Sequence, residues 1–137
     1  MKFLVILLFF NALTWAEETG ECQCMAALKY HSSHPTCTLY EMAPFESADC
    51  NDVETCQAEC QKEWDAVTNG GDLNYILDDG TVLGQSMCTS LKEEGYHNLQ
   101  PSTVYLAYNL CSGGWKDVSI ASDMLLCCEG GVYPGEC

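Results

Sequence analysis

The chain has 137 residues, 20 of them Asp or Glu against five Lys and no Arg, for a formal net charge of −15. A surface this acidic repels phosphate backbones, because nucleic-acid affinity comes largely from Lys and Arg displacing counterions. It is equally unsuited to anionic membrane surfaces. Nucleic acid and membrane insertion are therefore excluded as expectations, whereas cations, cationic partners and basic peptides are admitted.

The first residues run from Lys2 through an apolar stretch, Phe3 to Phe10, to the small residues Thr14 and Ala16 at positions −3 and −1 of a cut. This pattern predicts a secretory signal peptide over 1–16 and a single cysteine-rich extracellular domain over 17–137. The apolar run is too short to span a bilayer, which needs about 20 such residues. Cleavage leaves 121 residues, in which four lysines face all 20 acidic groups for a net charge of −16.

Eleven cysteines follow the leader: Cys22, Cys24, Cys37, Cys50, Cys56, Cys60, Cys88, Cys111, Cys127, Cys128 and Cys137. In the oxidising pathway such density reads as a disulfide framework, not as metal ligands or redox centres. The simplest count is five bridges and one cysteine either unpaired or joined to a second chain. Roughly ten thousand pairings are open to the sequence. At about 2 to 4 kcal/mol each, five bridges exceed the net stability that a core of this size usually supplies.

From the N-terminus, AALKY fits helix or strand and HSSHPTC reads as a loop. In NDVETCQAECQKEWDAVTNGG, the residues Val53, Cys56, Cys60, Trp64 and Val67 recur 3, 4, 4 and 3 apart between polar neighbours. That spacing predicts an amphipathic helix over about 52–68, with Asn51 as N-cap, Glu54 completing a capping box and Asn69-Gly70-Gly71 as the stop. In LNYILDDGTVLG, two β-prone runs flank Asp78-Asp79-Gly80, a hairpin signal. A shorter helix is expected over Ser86 to Glu94, with Met87, Cys88 and Leu91 on one side. Beyond Pro101, STVYLAYNLC, KDVSIAS and MLLCCEGGVY predict two or three strands. The fold class expected is α+β: a small disulfide-rich domain with one firm helix bridged to a small antiparallel sheet.

Cys56 and Cys60, one helical turn apart, send two bridges the same way. Cys22 and Cys24 match them if their segment is extended, since side chains two apart on a strand share a face. Adjacent Cys127 and Cys128 point to opposite faces and bond to different layers. This construction resembles that of cysteine-stabilised αβ peptides, in which a Cys-x3-Cys helix is bridged to a Cys-x-Cys strand; there the strand follows the helix, whereas here it precedes it. Cys56-x3-Cys60 and Cys128-x8-Cys137 also resemble two spacings of insect odorant-binding proteins, a resemblance that implies a carrier of a small apolar ligand. In that family the last cysteines sit on helices, whereas Glu129-Gly130-Gly131-Val132-Tyr133-Pro134-Gly135 is not helical in character.

No catalytic residue and no resident metal are assigned. His31 and His34 read as a polar loop, and His97 as a surface residue. The serines lack a Gly-x-Ser-x-Gly elbow, and Cys127-Cys128 lacks the following histidine of secreted phospholipases. Asp78 with Asp79, or Asp49 with Asp52 and Glu54, are candidates for weak Ca²⁺ binding, although turn formation and capping account for them equally. The expectation is a secreted non-enzymatic acidic protein, a structural or interaction component of an extracellular matrix, mineralised layer, glue or body fluid. Its partner is an extracellular protein or a cationic group, and the odd cysteine suggests a disulfide-linked homodimer. The alternatives are a venom-type factor directed at a receptor or channel, and the apolar-ligand carrier.

Overall fold

A computed structural model of the chain describes residues 20–29, 35–47 and 49–137. The expected leader and the His31 and His34 pair lie outside the described residues. The fold is α+β: among the described residues, a five-stranded antiparallel sheet, two helices and five disulfides. The strands are β1 (Gly20–Lys29), β2 (Pro35–Glu41), β3 (Phe45–Ser47), β4 (Leu99–Leu110) and β5 (Lys116–Cys128). The helices are α1 (Val53–Thr68) and α2 (Leu83–Glu93). Strand order is β2-β1-β4-β5, with β3 also paired to β1.

Alternation along β1 and β4 sorts the two faces. Cys22, Cys24, Ala26 and Leu28 stand opposite Leu110, Tyr108, Leu106 and Val104, and this face carries both helices. On the other face Met25, Ala27 and Ala107 form a small second cluster beside Trp115. The main core is completed by Cys56, Cys60 and Trp64 of α1, Met87, Cys88 and Leu91 of α2, and Leu126 and Cys128 of β5.

Helix α1 buries Cys56, Cys60, Trp64 and Thr68, a stripe at four-residue spacing. Its N-cap is Asp52 and not the expected Asn51: one Asp52 carboxylate oxygen accepts from the Thr55 amide and the other from the Thr55 hydroxyl. Asn51 is instead held in a turn, its own amide donating to Asp49 Oδ1. At the other end the Thr68 hydroxyl donates to the Trp64 carbonyl and accepts from the Gly71 amide, and Asn69 adopts the left-handed conformation of a helix stop.

Two further expectations are corrected. The 73–84 hairpin is a tight turn with a single bridge, Ile76↔Val82, because its second arm goes straight into α2. That helix begins at Leu83, not Ser86. The Leu83 and Gly84 amides donate to the Tyr75 and Leu73 carbonyls, so backbone from the first arm does the work of a side-chain cap, and no sequence signal announces it. Of the two or three strands expected in the C-terminal third, two form: KDVSIAS and MLLCC make one 13-residue strand, whose register against β4 shifts around Ser119, which takes a positive φ and whose amide donates to Asp117 Oδ1. Of AALKY, the residues Ala26 to Lys29 lie in strand β1, and the segment expected as a loop ends within β2.

Cys22 bonds Cys56 and Cys24 bonds Cys60, clamping α1 to β1. Cys50–Cys111 ties the entry to α1 to the end of β4. Of the adjacent pair, Cys128 bonds Cys88 on α2 and Cys127 bonds Cys137 in the tail. The tail is seated on α2 by Gln85, whose Nε2 donates to the Gly131 carbonyl and whose Oε1 accepts from the Tyr133 amide. The Tyr133 ring lies against Gly84 so closely that a Cβ there would stand 2.5–2.7 Å from three ring carbons.

Two outcomes follow from these contacts. Gly84→Ala should lower unfolding stability by roughly 1–3 kcal/mol through overpacking against Tyr133, measured by urea denaturation of the oxidised chain, and the loss should shrink when Tyr133→Ala is added. Thr55 holds the Asp52 carboxyl below the usual carboxylate range. Its contribution is therefore present above the ordinary carboxylate pKa and lost as pH falls through the lowered value. Asp52→Ala should lower the melting temperature at neutral pH while Asn51→Ala leaves it nearly unchanged, and the Asp52→Ala deficit should shrink in acid.

Candidate functional site

Two clefts lie beside edge strand β2 and share Tyr40 and Ser86, so they form one continuous trough. One end, 310 Å³, is walled by Tyr40, Tyr75 and Leu77, with Ala66 and Val67 of α1 behind and Asp78 and Asp79 among its lining residues. The other, 490 Å³, carries Glu41 from β2 and Glu93 and Glu94 from the end of α2. Five carboxylates thus border the trough, and among the described residues no Lys or His lines either cleft. Lys92, although next to Glu93, packs its aliphatic stem over Gly131 on the tail side of α2.

Local chemistry sets the acidic end. Leu77 and Thr81 face each other across the turn, the Leu77 amide donating to the Thr81 carbonyl and the Gly80 amide to the Leu77 carbonyl. Gly80 supplies the positive φ that this turn requires. The Thr81 amide donates to Asp79 Oδ1 at 2.8 Å and, with the Thr81 side chain, holds the Asp79 carboxyl below its usual range. Asp79 therefore keeps its charge to lower pH than an ordinary aspartate.

Ten of the eleven cysteines are in bridges, and Cys37 alone is unpaired. It sits half-buried on β2 opposite Leu28, on the face that carries the helices. Burial pushes its thiol up, and the Glu94 carboxylate adds to the effect. Among the described residues, the only trio of His, Cys, Asp or Glu close enough to hold a metal is Cys22, Cys56 and Cys60, whose sulfurs are all committed to disulfides. Of the calcium candidates, Asp49, Asp52 and Glu54 do not come together in one cluster, Asp49 Oδ1 accepting from Asn51 and Asp52 capping α1, whereas Asp78 and Asp79 both border the trough. His97 is exposed, and its carbonyl accepts from the Gly131 amide.

A further cleft of 640 Å³ lies between the start of β4 and the tail, lined by Gln100, Pro101, Cys127 and Glu136 among others. It presents no nucleophile–base pair. No helix among the described residues is long and apolar enough to cross a membrane. No protein-family model matches the chain, and no curated protein or solved structure matches it either.

Sequence reasoning singled out Asp78 and Asp79 but not Tyr40, Glu41, Tyr75, Glu93 or Glu94. They come from three separate segments, and only the packing of α2 against β2 brings them together.

The surroundings of Cys37 predict its reactivity in the monomer. Iodoacetamide near neutral pH should label one thiol, far more slowly than a free peptide cysteine, because the thiolate is the nucleophile. Glu94→Gln should speed labelling modestly, since burial remains the larger cause. Peptide mass mapping reads both the site and the rate.

Proposed function

We propose that this chain acts outside the cell as a non-enzymatic, disulfide-rich acidic protein, an interaction component of an extracellular matrix, mineralised layer, glue or body fluid, and that the trough is the face it turns to a cationic partner. The observation that carries this reading is the border of five carboxylates, from β2, the end of α2 and the 75–82 turn, around a cleft that no cationic side chain lines among the described residues. Concentrating one sign of charge in a concave site focuses the field and raises the local concentration of the opposite charge. A mature chain at −16 adds the long-range attraction.

Secretion is part of the same proposal. It rests on the leader pattern at 1–16 and on five bridges, which form and persist in oxidising compartments. A disulfide-linked homodimer would be joined through Cys37, the one cysteine outside the bridges, which lies on an edge strand of the sheet. Intact mass without reductant decides this point: a doubled mass that halves on reduction and is abolished by Cys37→Ser supports the dimer, and a monomer mass removes it.

Calorimetric titration with octalysine tests the trough. Binding is expected at low salt and should vanish at about 1 M salt, where the Debye length is about 3 Å. Replacing Glu41, Glu93 and Glu94 by Gln should weaken it more than replacing Glu21, Glu54 and Glu129, an equal change in charge spread over other exposed positions. Equal losses in the two triple variants would reduce the trough to ordinary surface charge.

A further inference from the structure

The two ends of the trough differ in kind. The Glu41–Glu93–Glu94 end is carboxylate over polar serines, whereas the Tyr40–Tyr75 end combines two aromatic rings, an aliphatic wall and a pair of carboxylates in 310 Å³. Carboxylates alone suit any cation, and aromatic walls suit apolar groups. Together they suit a cation carried on a short hydrocarbon chain. The ring quadrupole attracts the positive head, Ala66, Val67 and Leu77 take up the methylenes, and Asp78 and Asp79 balance the charge.

We propose that the Tyr40–Tyr75 end of the trough is a pocket for an alkylammonium group, as presented by a lysine side chain or by a free primary amine. This rests on the reading of the trough as a face for cationic partners and names the chemistry that one end of it selects. The site is built by the fold and not by one flexible segment. Tyr40 is fixed in β2 by pairing with Ala26, and Ala66 and Val67 stand on the last turn of α1. The Tyr75 carbonyl is held by the Leu83 amide at the start of α2. The volume is at the small end of the range for ligand sites, in keeping with a single side chain or a small amine.

Selection by charge and by aromatic contact can be separated experimentally. The probes are n-butylammonium chloride, its uncharged counterpart n-butanol, and acetyl-Gly-Lys-Gly-amide, titrated calorimetrically into the full oxidised chain. Butylammonium should bind saturably, and butanol at least about tenfold more weakly. Tyr75→Leu should weaken butylammonium roughly fivefold, within the range that cation–π contacts supply, while Tyr75→Phe stays within about twofold. Asp79→Asn keeps an acceptor for the Thr81 amide but removes the charge, and should also weaken binding. Intact mass with five bridges and an unchanged near-ultraviolet dichroism spectrum establish that each variant is folded.

Tighter binding of the tripeptide than of butylammonium would place the lysine on a partner chain, and equal or weaker binding would favour a free amine; either supports the pocket. Equal affinity for butanol and butylammonium, or an unaffected Tyr75→Leu variant, overturns it. If octalysine still binds while butylammonium does not, the pocket fails and the trough stands. If neither binds at low salt, both fall.

Discussion

Everything in this molecule is arranged around the double clamp between α1 and β1. Two sulfurs one helical turn apart, on Cys56 and Cys60, meet two sulfurs one pleat repeat apart, on Cys22 and Cys24. A single bridge would leave the helix able to swing about it. Two bridges in the same direction fix its azimuth and its position along the strand, so Trp64 must land in the core and Ala66 and Val67 must face the trough. The entropic gain is of the usual kind, about 3 to 4 kcal/mol for loops of this length if the bridges acted independently. The geometric consequence is the more important one for function.

From that clamp the remaining bridges extend outward. Cys50–Cys111 pins the entry to α1, Cys88–Cys128 brings α2 onto the same face, and Cys127–Cys137 draws the tail across it so that Tyr133 lies on Gly84. With α2 held at one side and β2 at the edge of the sheet, the gap between them becomes the trough. Its carboxylates need no ion pairs to stay in place: Asp79 is tied to its own turn, Glu41 and Glu93 stand on regular secondary structure, and Glu94 is the C-cap of α2. The acidic composition is thus organised at this one place as well as spread over the surface.

How far the sequence could be read follows from which forces act locally. The stripe of α1 was legible because a buried helix face repeats every three to four residues, and the shared direction of Cys22, Cys24, Cys56 and Cys60 follows from elementary side-chain periodicity. The start of α2 was not legible, because the carbonyls of Leu73 and Tyr75 cap it and backbone leaves no signature. Asp52 displaced Asn51 as cap because Thr55, three residues on, offers it both an amide and a hydroxyl, a local pairing that the capping-box pattern at Asn51 and Glu54 masks. The number of strands beyond Pro101 stayed open between two and three because Ser119 and its Asx turn interrupt the pattern without interrupting strand β5. The trough was invisible for a different reason: Tyr40, Tyr75, Asp79 and Glu94 are far apart in sequence, and only the disulfide-fixed packing makes them neighbours.

The central claim is that the fixed frame turns a diffuse acidic composition into one localised cation-binding face. An amide chemical-shift map of the oxidised protein, titrated with a lysine peptide at low salt, tests this most directly. The account predicts perturbations concentrated at Tyr40, Glu41, Tyr75 to Asp79, and Ser90 to Glu94, with β5 and the outer face of the sheet unmoved. Shifts scattered in proportion to exposed Asp and Glu, or gathered at another face, would contradict it.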